Sequence, residues 1–180
     1  MLSMSRPAWR FIVFFILYLI VFSLILQMEA VHRGAVVPLT GIVARASSLL
    51  LNVLGLDTQV LGTVITGSEA FSVNILDGCN GVDVMAIVAA AVLAFPSSFK
   101  EKLLGLAMAM PGVQIINVVR IVSLYYIGLR WPALFERFHL YVWQTAVILL
   151  SLTIWMVWAR FLTGERGAPA RPHEQTPSAS

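Results

Sequence analysis

Apolar residues run almost unbroken from Trp9 to Met28, with Arg10, Ser23 and Gln27 as the strongly polar exceptions. About twenty residues of helix cross a ~30 Å hydrocarbon core, so the run predicts a first membrane span over 9–28. Over 36–56 the pattern changes. Gly41, Arg45, Ser48 and Asn52 recur at helical spacing, with Leu39, Ile42, Val43, Ala46, Leu49, Leu50 and Val53 opposite them. This predicts an amphipathic helix in the membrane interface rather than a span, because an arginine at mid-bilayer costs about 2.5–3.5 kcal/mol. From 58 to 76 the period shortens to two: Phe71, Val73 and Ile75 alternate with Ser72 and Asn74, and Gly67-Ser68 separates this run from the β-branched Val60, Val64, Ile65 and Thr66. A β-hairpin is expected over 58–76. It belongs in water, since the edge amides of an open hairpin find no partner in lipid.

Apolar helices resume at 79–96 after Asp77-Gly78, at 103–128 with an interruption at Pro111-Gly112, and at 138–162 after a loop over 129–138 that turns at Trp131-Pro132. Residues 164–180, rich in Pro, Ser and Ala, have no period and predict a disordered cytoplasmic tail. The expected fold is an all-α integral membrane bundle. About four transmembrane helices, the interfacial helix and an extracytoplasmic β-hairpin would make up a single domain over 1–163.

Composition agrees: 59% of residues are apolar and 12% charged, against roughly 45–50% and 25% in soluble domains. A net charge of +3 from scattered basic residues argues against nucleic-acid binding. Cys79 is the single cysteine, which excludes an intramolecular disulfide, a Cys-x-x-Cys redox pair and a cysteine-based zinc cage. No metal or cofactor is expected. In the four-span topology the cytoplasmic parts carry Arg6, Arg10, Lys100, Lys102, Arg160, Arg166 and Arg171 against Glu101, Glu165 and Glu174, while the other side carries five basic and six acidic residues. The positive-inside rule then sets both termini in the cytoplasm, with the first span an uncleaved signal anchor. Tyr125, Tyr126, Trp131, Tyr141 and Trp143 would form the outer aromatic belt, and Trp9, Trp155 and Trp158 the inner one.

This topology brings three reactive side chains to the outer side. Cys79 opens the second span, Arg120 lies in the outer half of the third, and His139 opens the fourth. A thiol, an imidazole and a fixed cation are the ingredients of cysteine acyl transfer: nucleophile, general acid and base, and oxyanion stabiliser. A helix N-terminus and a neighbouring cation are the surroundings that favour a thiolate. Asp83, one turn beyond Cys79, is placed to orient His139 or pair with Arg120, and Asn117 precedes Arg120 by three positions as a supporting residue. Each has an ordinary reading too: a small buried thiol, an interfacial histidine, polar groups that hold helices together. Those readings describe a non-catalytic assembly or scaffold subunit of an envelope export system. An arginine inside an apolar span is costly enough to favour a functional role. If the third span ends at 128, Arg120 lies about 12 Å below that end, so either the helix projects beyond the bilayer or the site is sunk into it. His32 and His173 are assigned no role.

The residues Asp77-Gly78-Cys79-Asn80-Gly81-Val82 at one span, Asn117-Val118-Val119-Arg120-Ile121 in the next and His139 opening the last resemble the exosortase/archaeosortase family of membrane transpeptidases. The resemblance covers roughly 9–162. Asn80 stands where the family usually has serine. The short length and the Leu140-Tyr141-Val142-Trp143-Gln144 run look most like the small exosortase subgroup lettered H. The resemblance implies a Cys79, Arg120 and His139 triad in a bacterial inner membrane, acting on secreted proteins that end in a short motif, a transmembrane helix and a basic tail. The enzyme would cut before that helix and pass the acyl group to a surface or lipid-linked acceptor, and the hairpin is suited to add a strand to the extended motif.

Overall fold

The first helix, α1 (Arg6–Leu26), ends at a short break over Gln27 and Met28. The computed structural model describes residues 6–67 and 71–167. A second helical rod covers Glu29–Val53. It is π-helical over His32–Val36 and continues as α2 (Val37–Val53). Three short strands follow, β1 (Thr58–Leu61), β2 (Val64–Gly67) and β3 (Ser72–Asn74). The chain then forms α3 (Val82–Ala94), α4 (Phe99–Arg130), α5 (Pro132–Arg137) and α6 (Gln144–Gly167), the last two joined by a π-helical stretch, Phe138–Trp143. Among the described residues, four helical runs are long and apolar enough to cross a membrane: Ala8–Leu26, Glu29–Val53, Phe99–Arg130 and Pro132–Leu162. The fold is an all-α membrane bundle with a small sheet at one end.

Several expected boundaries move, each for a local reason. The span expected at 79–96 is the thirteen-residue helix α3. Gly78 and Gly81, at φ 80° and 78°, hold the chain out of helix until Val82. At the far end Phe95 is extended, as a residue preceding proline is driven to be. Pro111 causes no interruption, since α4 runs through it for 32 residues. Ser98 and Glu101 form a reciprocal capping box that fixes where α4 begins. The loop expected over 129–138 shrinks to Trp131, because Pro132 opens α5 in the first turn, where a missing N–H costs nothing. Residues 164–167 of the predicted tail are helical, while 168–180, His173 included, lie outside the described residues, as do 68–70.

The expected hairpin is a three-stranded antiparallel sheet in the order β1-β2-β3. Its tight turn is at Gly62-Thr63, where Gly62 has φ 65°, and Gly67 instead ends β2.

Two apolar clusters divide the bundle along α4. In one, Val88 and Val92 of α3 pack with Ala109 and Val113 of α4 and Trp158 and Leu162 of α6. Gly105 makes this approach possible, since a Cβ there would stand 2.6 Å from the Trp158 ring. In the other, Val43, Ala44 and Leu51 of α2 pack with Ile65 and Ile75 of the sheet and Ile121, Val122 and Tyr125 of α4. Trp158 and Tyr125 are thus buried core anchors, not members of the two aromatic belts.

The rod holding α2 stands beside the sheet-end half of α4. At its start Thr40 accepts from Asn80, whose carbonyl accepts from Gln114; at its end the Leu54 carbonyl accepts from Tyr126. Its faces are also sorted differently from the expectation. Ser48, part of the predicted polar stripe, is buried and bonded to Thr58, and Asn52 bonds the same residue. Ile42, Leu49 and Val53 point outward. Ser48 and Asn52 of the stripe thus serve the sheet, while Arg45 is exposed on the outer side with Ile42, Leu49 and Val53.

Candidate active site

The segment from Leu76 to Gly81 is where the sheet hands the chain to α3, and Cys79 sits in its middle. The Cys79 N–H turns back to the Leu76 carbonyl at 3.0 Å. Asn80, almost fully buried, accepts from the Val82 N–H at 3.0 Å and donates to Thr40 Oγ1 at 3.2 Å and Asp77 Oδ1 at 3.3 Å. Gln114 of α4 donates to the Asn80 carbonyl at 3.2 Å. Asp77 Oδ2 lies 3.0 Å from His32 Nε2. The turn is therefore tied to the Glu29–Val53 rod on one side and to α4 on the other.

The thiol faces away from those ties. Cys79 Sγ lies 3.1 Å from His139 Nε2, and a terminal guanidinium nitrogen of Arg120 donates to Sγ at 3.6 Å. His139 comes from the π-helical stretch before α6, and its ring stacks on Phe135 of α5. Arg120 is 3% exposed and comes from the middle of the sheet-end half of α4. Three distant parts of the chain thus bring the three predicted side chains within hydrogen-bonding reach of one sulfur.

Arg120 continues a polar row on α4. Gln114, Asn117 and Arg120 follow at three-residue spacing, which keeps them on neighbouring faces of the helix. Arg120 Nε, Gln114 Oε1 and both amide atoms of Asn117 are buried without a hydrogen-bond partner. Asn117 lies directly under Gly81, where an added Cβ would stand 3.1 Å from its amide. Buried polar atoms left unpaired cost about 1–3 kcal/mol each, so this row holds spare donors and acceptors beside the thiol.

Asp83 is not where it was expected. It pairs with neither Arg120 nor His139; among the described residues the ion pairs are His32 with Asp77 and Arg33 with Glu29. The left-handed Gly81 breaks the helical phase between Cys79 and Asp83, so the two do not share a face. Asp83 instead lines a cavity of about 630 Å³ with Leu19 and Ser23 of α1, His32 and Asp77. His32, assigned no role from sequence, fixes the turn through Asp77; its only local sign was polar company from Gln27 to Arg33. Asn80 and Gln114 were visible as polar residues, but the bonds that tie the turn to other helices, Asn80 to Thr40 and Gln114 to Asn80, span 40 and 34 positions. No group of three or more His, Cys, Asp or Glu side chains is gathered as metal ligands would be among the described residues.

A thiol flanked by imidazole and guanidinium thus stands at one end of a membrane bundle. The family model described as transmembrane exosortase (Exosortase_EpsH) matches residues 1–158, and the chain belongs to the exosortase family. Membership carries a general role in membrane transpeptidation and protein sorting. No curated protein and no solved structure matches the chain.

Proposed function

We propose that this protein is a membrane-embedded cysteine peptidase and transpeptidase, with Cys79 as nucleophile, His139 as general acid and base, and Arg120 as oxyanion stabiliser. Its substrates are secreted proteins ending in a short motif, a transmembrane helix and a basic tail. The single observation that carries this reading is the meeting of His139 and Arg120 at Cys79 Sγ in a chain of the exosortase family.

The chemistry follows from the donors present. Neutral His139, with its proton on Nδ1, takes the thiol proton at Nε2 as Sγ attacks the scissile carbonyl. The carbonyl electrons move to oxygen, and the Arg120 guanidinium stabilises that oxyanion; Nε, now without a partner, is a donor available for it. Collapse breaks the C–N bond, the leaving amine takes the proton from His139, and a thioester to Cys79 remains. An acceptor nucleophile then loses its proton to His139 and attacks the thioester, and the returning sulfur recovers the proton.

In the same reading residues 1–163 form one domain in a bacterial inner membrane, with both termini cytoplasmic and the sheet end extracytoplasmic. The crossings are α1, α3, α4 and α6, with α3 covering only about 20 Å by itself, and the span-length α2 rod packs beside the sheet-end half of α4. A substrate helix in the same bilayer presents its juxtamembrane peptide at the level of Cys79. The test is co-expression with a secreted reporter carrying such a C-terminal segment from the same genome. Release of the reporter from its helix is expected with the wild-type chain. Equal release with Cys79→Ala would overturn the proposal.

A further inference from the structure

The sheet has two outer edges, and the ladder phase shows what each offers. The Gly67 N–H bonds the Phe71 carbonyl and the Ile75 N–H bonds the Thr63 carbonyl. With the register Ile65 to Val73, the peptide groups of Phe71, Val73 and Ile75 therefore turn toward β2, and those of Ser72 and Asn74 turn away from it. On the opposite edge the outward residues are Thr58 and Val60, and the groups of Thr58 are taken: its N–H donates to Asn52 Oδ1 at 2.8 Å and its carbonyl accepts from Asn52 Nδ2 at 3.1 Å. The outward groups of Ser72 and Asn74 have no strand beyond them and no hydrogen bond among the described residues. Both side chains are exposed.

This open edge runs directly into the site. Two residues past Asn74 the ladder phase reaches Leu76, 62% exposed, whose carbonyl is turned back to the Cys79 N–H. The edge stops offering hydrogen bonds where the chain bends to the nucleophile. Cys79 itself packs against the cluster containing Ile65 and Ile75, so thiol and sheet share one body.

We infer that the free edge of β3 is the docking edge for the extended peptide preceding the substrate's membrane helix, and that this peptide adds in parallel to β3. This rests on the sorting-peptidase reading above. The direction follows from topology: β3 leads through Cys79 into α3, which descends into the bundle, and a substrate whose helix follows its recognition peptide has the same order of peptide, cleavage point and helix. Antiparallel addition would point the substrate's helix away from the membrane. The peptide groups of Ser72 and Asn74 supply the main-chain bonds, and side-chain contacts on alternate positions add selectivity.

The experiment uses the full chain in membranes with a reporter that the wild-type enzyme cleaves. In the Cys79→Ala background, which removes the single cysteine, Ser72→Cys and Asn74→Cys are each combined with single cysteines scanned along the reporter's juxtamembrane segment, and disulfides are trapped by oxidation. Parallel addition predicts that Asn74→Cys links to reporter positions nearer the reporter helix than Ser72→Cys does. In the otherwise native chain, Ser72→Pro removes only an outward N–H, and cleavage should fall about tenfold, the worth of roughly one backbone hydrogen bond. Ser72→Ala, which keeps that N–H, should lose less cleavage than Ser72→Pro. Absence of links from both positions, a reversed order, or unimpaired cleavage by Ser72→Pro at normal abundance overturns the inference while leaving the peptidase reading intact. A reporter untouched by the wild-type chain overturns both.

Discussion

Cys79 owes its position to its neighbours. Gly78 and Gly81 give the turn its left-handed geometry, Asn80 locks it, and the thiol is left facing His139 and Arg120. Cys79→Ala is therefore expected to abolish reporter cleavage without lowering protein level, because the side chain takes no part in those ties. Cys79→Ser should be nearly as inactive, a hydroxyl being a poor nucleophile without stronger base activation. Immunoblots of enzyme and reporter measure both. Arg120 separates a catalytic cation from a structural one. Arg120→Ala should lower the cleavage rate by about 10²–10³, the usual cost of one oxyanion donor, and Arg120→Lys should not rescue it, since the planar fork is lost. Because Asp83 forms no pair with Arg120, adding Asp83→Asn to Arg120→Ala should restore neither abundance nor cleavage; joint recovery would show the arginine to be a structural counter-ion.

At the scale of elements, α3 and α4 show how the reactive groups are held in register. α3 cannot begin before Val82 because Gly81 occupies φ 78°, and Gly81 also rests on the Asn117 amide. Gly81→Ala should cost at least about 1–2 kcal/mol from the left-handed conformation alone, with the new Cβ pressing on Asn117 besides. A lowered melting temperature of the detergent-solubilised protein and reduced cleavage are expected together. Gly34→Ala is the control, since nothing lies within 4 Å of a Cβ there; equal melting temperatures for the two variants would count against the role given to Gly81. The 32 residues of α4 span about 48 Å at 1.5 Å per residue, well beyond a ~30 Å core. Ten residues follow Arg120 within α4, and Tyr125 and Tyr126 in that stretch bond Phe71 and Leu54. The sheet and the α2 rod thus cover this end of the helix, and Arg120 meets the Cys79 sulfur there.

For the whole molecule, the proposed orientation makes a direct prediction. A membrane-impermeant maleimide should label Cys79 on intact spheroplasts, with labelling reduced in Arg120→Ala if that cation supports the reactive thiol. Labelling that requires permeabilised membranes would reverse the topology and place the sheet in the cytoplasm. The fold class was legible because span-length apolar runs and period-two alternation are local signals, each dictated by bilayer thickness or by strand geometry. Cys79, Arg120 and His139 were legible as candidates because reactive groups stand out in an apolar chain. Their convergence on one side was legible as well, from the topology and the family resemblance; the contact geometry at the sulfur was not. It depends on a π-helical stretch that turns His139 inward and on the phase of α4, neither of which has a local sequence signature. The sequence also could not say that Ser48 and Asn52 face β1, that Asp83 turns toward α1, or that His32 finds Asp77 across 45 positions. A helix's period shows which residues share a face; which neighbour that face meets is decided by long-range packing. Here Gly81 at positive φ resets the phase between Cys79 and α3, so residues one turn apart in the sequence meet different neighbours.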